Sequence, residues 1–179
     1  MDEYLEILTE LGESTGKKKC RTEIHKTGEW HRTVHIWIIN DKNELLLQKR
    51  HSKKEGSPGK WDISCGGHCS DGETSLQGAI RELDEELGLN IPLDKIEQLF
   101  TIKYTSQLGL NNEFVDVYLI ECNYEISTLK FQEDEIEELT SINYKELQRL
   151  YYEPEFNIAR KDNEYEKLFD MLNKRLDFA

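Results

Sequence analysis

The stretch CGGHCSDGETSLQGAIRELDEELGLN, residues 65–90, carries two patterns at once. Leu76, Ala79, Ile80, Leu83 and Leu87 recur at helical spacing, which predicts a helix over 74–87 with one buried face. Glu82, Glu85 and Glu86 fall at i, i+3 and i+4 and neighbour one another on a second face. Asp71 and Glu73 precede or open the helix, where its dipole favours acids, and Gly88 suits a left-handed C-cap. Clustered like charges cost roughly 0.2–0.5 kcal/mol per pair. Arg81 can pair with Glu85 but cannot neutralise the whole cluster. A divalent cation can, since Mg²⁺ and Mn²⁺ take oxygen ligands and leave positions for water and phosphate. A merely solvated acidic face is the alternative reading of the same residues.

Outward from this helix, RTVHIWIIN (32–40) and ELLLQKR (44–50) are apolar and β-rich, joined by the turn-like DKN. HSKKEGSPGK (51–60) reads as a loop and WDISC (61–65) as a short strand. KIEQLFTIKYTS and NEFVDVYLIECN predict two strands around QLGLNN, ELTSIN another, and YKELQRLYY a short helix. YLEILTE and KCRTEIH flank ELGESTGKK as an N-terminal hairpin within residues 1–30. Tyr165, Leu168, Phe169, Leu172 and Leu176 form one apolar stripe, predicting a final helix over 155–176. Strands before, between and after helices imply a mixed α/β domain, a single one over residues 1–179.

The formal charge of −13 argues against a nucleic-acid or anionic-membrane partner, each of which needs a basic footprint. Four cysteines, Cys20, Cys65, Cys69 and Cys122, are too few and scattered for a disulfide scaffold of this length. The chain opens MDEYLEIL, without the basic start of a signal peptide, and no apolar run approaches a membrane span, so a cytoplasmic protein is expected.

The order of fixed residues goes further. Gly67, five residues, Glu73, seven residues, Arg81-Glu82-Leu83, one residue, Glu85-Glu86, one residue, Gly88-Leu89 resembles the Nudix box at every fixed position. The resemblance strictly covers 23 residues, with PGKW before the box also similar to the family. It implies an α/β/α sandwich around a mixed sheet, and hydrolysis of a diphosphate linkage with Mg²⁺ or Mn²⁺. Glu82, Glu85 and Glu86 match the family's metal-binding carboxylates, and the Gly66 carbonyl matches a backbone ligand. Gly67, Glu73, Arg81 and Gly88 match structural positions. The general base is Glu85 or Glu82 within the box, or Glu135 in the later EDEIEEL. The implied partner is a small-molecule diphosphate.

A second set of residues resembles the branch that includes isopentenyl-diphosphate isomerase, through HKTGEWHRTVHIWIINDKNELLLQKR and SCGGH. There, His25, His31, His68 and Glu113 match a second metal site, with Asn111 where a further glutamate would stand; lining a pocket is their other reading. The isomerase's acid is a cysteine at the position of Gly66, and adjacent Cys65 points to the opposite face of a strand. His35, within an apolar strand, is expected to meet a backbone group. The chain therefore reads as a hydrolase on an isomerase-like branch, with the isomerase and a non-catalytic nucleotide binder as alternatives. Lys49, Arg50 and Lys60, with Lys53 and Lys54, form a basic stretch suited to holding phosphates. Trp30, Trp61 and Tyr104 can stack on a base or contact an isoprenoid. The hairpin and the last helix each offer a surface for a homodimer.

Overall fold

The computed structural model describes residues 3–54, 56–106, 108–159 and 162–176. Strand β3 (Trp30–Ile39) is the spine. It runs parallel to β8 (Asn112–Glu121) over its full length, from Trp30 opposite Asn112 to Ile39 opposite Glu121. β8 in turn pairs antiparallel with β7 (Ile96–Thr105). On its other edge β3 takes the short antiparallel β6 (Cys65–His68). Strand β4 (Glu44–Arg50) meets β3 at Ile39 opposite Leu45, then diverges to pair with β9 (Ile136–Asn143) and β5 (Trp61–Asp62). Ser64 spans the gap: its hydroxyl donates to the Leu46 carbonyl (2.5 Å) and accepts from the Ile38 amide (2.9 Å).

That divergence corrects the expectation of one strand over 61–65. The chain leaves β4 after Asp62 and joins β3 at Cys65, so the segment becomes two strands with different partners. Alternation along β3 then divides the core. Val34, Ile36 and Ile38 pack with Cys65 against Ala79, Leu83 and Leu87 of helix α2 (Ser75–Leu87). Trp37 and Ile39 face helices α3 (Tyr144–Tyr151) and α4 (Asn163–Leu176), meeting Leu147, Leu168 and Phe169. Two helical layers thus enclose a mixed sheet, as expected. Leu83 is 1 % exposed, and truncating a side chain so buried costs about 2–5 kcal/mol.

The final helix is shorter than the predicted 155–176. The described residues before it form a turn at 154–155 and then an isolated bridge of Ile158 with Trp61: Trp61 donates to the Asn157 carbonyl at 3.0 Å and Ala159 to that of Trp61 at 2.7 Å. At the helix start the buried Glu164 accepts from Trp37 Nε1 (2.9 Å) and lies 2.7 Å from His35 Nδ1. His35 thus meets a buried carboxylate, a partner that the strand pattern did not predict.

The N-terminal hairpin is present as β1 (Tyr4–Leu8) and β2 (Ser14–Cys20), but its second arm ends in a helix, α1 (Arg21–Thr27), that was not expected. Buried Ile24 holds α1 down, and Gly28 closes it with a left-handed φ of 76°. Beside the box, Leu5 bridges Ser70 and the Asp71 amide donates to the Tyr4 carbonyl (2.8 Å), so the hairpin lies on the box loop. Among the described residues, no helix is long and apolar enough to cross a membrane.

Candidate active site and metal centre

The four residues of β6 alternate between two faces of the sheet. Cys65 and Gly67 pair with Ile36 and Val34 and share their face, toward α2. Gly66 and His68 pair with His35 and Thr33 on the other face.

On the α2 side, the helix begins at a capping box: Thr74 accepts from the Gln77 amide, and the Gln77 side chain accepts from the Thr74 amide. It ends at Gly88, left-handed at φ 63°, as expected. Arg81 ties loop to helix. Its guanidinium reaches Glu73 (2.8 and 3.1 Å), Glu82 (2.7 Å), Glu85 (3.0 Å) and the His68 carbonyl (2.7 Å). This bonding holds the Glu73 carboxyl below its usual range. Gly67 has a steric reason, since a Cβ there would overlap the Glu82 carboxylate.

The three box glutamates differ sharply. Glu85 is half-exposed and bound to Arg81. Glu82 is buried, and desolvation raises its pKa. Glu86 is pushed up to about 7, first by burial and next by the charge of Glu82, against opposing bonds from the Cys65 thiol and Gly66 backbone. Gln48 Nε2 approaches the same carboxylate at 3.4 Å. Burial and mutual repulsion both disfavour two anions here, and a divalent cation relieves both.

The expected phosphate contacts separate. Lys49 alternates to the face opposite Gln48 and pairs with Glu137 on β9 (2.8 Å), so β-strand geometry takes it away from the box. Arg50 is held by Asp62 (3.1 Å) and the Gly56 carbonyl (2.7 Å). Lys60 is tied through its main chain, its carbonyl accepting from the Arg50 amide (2.9 Å). Lys54 in this loop feels the box charge: its pKa is lowered by burial and then by Arg50, while Glu86 opposes that shift. Lys54 also forms an ion pair with Glu135, placing the candidate base at this edge of the box.

On the opposite face, His25 from α1, His31 from β3 and His68 from β6 converge. Ring centroids lie 5.1, 5.2 and 5.2 Å apart, and one ligand atom from each falls within 4.8 Å of the others. His25 Nε2 and His31 Nε2 are 3.4 Å apart. Glu113 from β8, in register with His31, stands 3.9 Å from that same Nε2. Asn111 donates to Glu113 at 2.9 Å, and among the described residues its own buried Oδ1 lacks a hydrogen-bond partner, as does His68 Nε2. Burial lowers the pKa of all three histidines, His68 furthest, keeping the rings neutral with lone pairs available. The orphaned nitrogen and converging donors fit a cation of the type bound by imidazole and carboxylate.

A cavity of about 460 Å³ adjoins this cluster, lined by His25, Tyr104, Ser106, Leu108, Leu110 and Asn111. Tyr104 thus reaches a pocket. Trp30 instead lies 5.2 Å from Phe114 with the Lys103 ammonium 4.3 Å from its ring centre, and Trp61 packs on the core.

Residues 29–162 match the model of the NUDIX domain. The chain belongs to the Nudix family. Nudix hydrolase 3 of Arabidopsis thaliana is 39% identical over 97% of this chain, which spans only 24% of that relative. The isopentenyl-diphosphate Delta-isomerase of Pectobacterium atrosepticum is 39% identical over 55% of each protein. The structure of DR0079 from Deinococcus radiodurans matches in fold, with TM-score 0.70 and 22% identity, covering 94% of this chain and 98% of that one. The Nudix box was legible from its contiguous spacing. Arg21 and Glu3 were not: Arg21 pairs with Glu3 at 3.0 Å, and Glu3 lies 3.8 Å from His68 Nδ1. The charge pair sits 18 residues apart in the chain, outside any local pattern.

Proposed function

We propose that this chain hydrolyses the P–O–P linkage of a small organic diphosphate at the Nudix box. The observation that carries this reading is the buried Glu82 beside the partly buried Glu86, whose carboxyl is pushed up to about 7. Arg81 offsets part of the charge of Glu82, and the repulsion and desolvation left at Glu86 are what a divalent cation would relieve. Glu82 and Glu86, with Glu85 and the Gly66 carbonyl, would hold Mg²⁺ or Mn²⁺. When bound, that ion neutralises phosphate charge and acidifies water. Glu73 and Arg81 hold the carboxylates in place. A water oxygen bonds to phosphorus as the bridging P–O bond breaks; the water's proton passes to Glu135, or to Glu85 or Glu82, and the bridging oxygen leaves with the departing phosphate. Lys54 and Arg21 supply positive charge for the phosphates, with Arg50 and Lys60 at the rim. Tyr104, Leu108 and Leu110 give the organic moiety a partly apolar wall. His25, His31, His68 and Glu113, with Asn111 beside them, form a second cation site.

The histidine cluster favours a second reading, an isomerase of isopentenyl diphosphate. Gly66 opposes it on steric grounds, because a Cβ there would lie 2.7 Å from the Val34 carbonyl oxygen. Cys65, one residue away, is buried on the α2 face and its pKa is raised well above the usual thiol value by that burial. The test is isotopic. Hydrolysis in ¹⁸O-enriched water with Mg²⁺ and a panel of nucleotide and isoprenoid diphosphates should place label in a phosphate product. Carbon-bound deuterium in dimethylallyl diphosphate formed in deuterated water, without phosphate release, would decide for the isomerase.

A further inference from the structure

An imidazole that binds a cation through one nitrogen must keep its proton on the other, and a neighbour usually enforces this. At His31 the main chain does so: Nδ1 lies 3.1 Å from the Glu29 carbonyl, leaving Nε2 turned toward His25. At His68 the group facing Nδ1 is the Glu3 carboxylate, 3.8 Å away, beyond a hydrogen bond but within ion-pair reach. A facing anion favours the proton on Nδ1 and so leaves the lone pair on Nε2, the buried nitrogen that has no hydrogen-bond partner among the described residues.

Glu3 is itself fixed at two points. The Arg21 amide donates to its carbonyl at 2.8 Å, and Arg21 Nη1 lies 3.0 Å from its carboxylate. Its charge also offsets Arg21, which would otherwise repel a cation at the cluster. The hairpin has other attachments, namely the Leu5–Ser70 bridge, the Asp71–Tyr4 hydrogen bond and the Lys18–Asp71 ion pair (2.5 Å). The Glu3 carboxylate is therefore not needed to dock the hairpin.

We infer that Glu3 is a positioning residue of the histidine centre, setting the tautomer of His68 and balancing Arg21, so that the N-terminal strand helps to define the metal site. The inference rests on reading His25, His31, His68 and Glu113 as a cation site. It is tested on the full chain with Co²⁺ alone, by following visible absorption and calorimetric affinity, with Glu86→Gln present throughout to suppress binding at the box. His31→Ala should abolish the cobalt spectrum. Glu3→Gln, of equal size, should weaken cobalt binding about 10- to 100-fold while leaving the unfolding temperature of the cation-free protein unchanged. Lys18→Met, which removes only a hairpin ion pair, should leave the affinity unchanged. A His31-dependent spectrum with undiminished affinity in Glu3→Gln overturns the role of Glu3 alone. Equal weakening by Lys18→Met also overturns it, assigning the effect to hairpin docking. Absence of any His31-dependent spectrum overturns the cation site and the inference together.

Discussion

The two faces of β6 carry two candidate cation sites of opposite construction. Toward α2, the candidate ligands are carboxylates on one helix, three of them within five residues, and repulsion and desolvation at Glu86 favour a cation beside them. Toward the cavity, the ligands are neutral rings from three elements plus one carboxylate from a fourth, brought together by the parallel pairing of β3 with β8 and by α1. The first centre is local and hard; the second is assembled and softer. Arg81 links them, touching Glu82 on one side and the His68 carbonyl on the other.

If the carboxylate side is the hydrolytic one, Glu86→Gln should lower Mg²⁺-dependent turnover by about 10³-fold while the fold persists. Steady-state kinetics with circular dichroism would check this, and near-normal turnover in the variant would detach the chemistry from the box.

The next largest effect concerns stability. Glu86 titrates near 7 when folded, against an ordinary value of 4.5, because burial and Glu82 disfavour its charge. Its contribution is therefore fully present below pH ~4.5 and is lost as pH rises through ~7, by up to about 3 kcal/mol. Denaturant unfolding of the cation-free protein at pH 5 and 8 should show wild type losing more stability than Glu86→Gln, with Mg²⁺ narrowing the gap at pH 8. Equal pH dependence in the two proteins would mean that Glu86 is not held as described.

A smaller effect probes the other face. Gly66→Cys supplies the residue type that the isomerase uses, but its Cβ would meet the Val34 carbonyl oxygen at 2.7 Å. The substitution should cost about 1–3 kcal/mol and yield no isomerisation. Deuterium incorporation into dimethylallyl diphosphate by this variant would show that β6 yields more easily than its pairing with β3 suggests.

The same contrast explains what the sequence could disclose. The box helix, its Gly88 cap and the Arg81–Glu73 tie are set by contacts within one stretch, so spacing reveals them. The strands of the spine are legible because their apolar runs are long. The start of α4 was misplaced because the stripe from Tyr165 to Leu176 says nothing about residues 156–159, which the backbone of Trp61 draws into an extended bridge. Lys49 looked like a phosphate ligand by charge alone, and only the register of β4 against β9 turns it to Glu137. Lys54, Arg21 and Glu3 reach the centres through a loop and a hairpin whose docking has no local signature.

If β6 separates two independent cation sites, calorimetric titration with Mn²⁺ will resolve them. Wild type should bind two ions; Glu86→Gln should retain only the site that His31→Ala removes, and His31→Ala only the site that Glu86→Gln removes. A single binding event abolished by either substitution would mean that the two faces form one site.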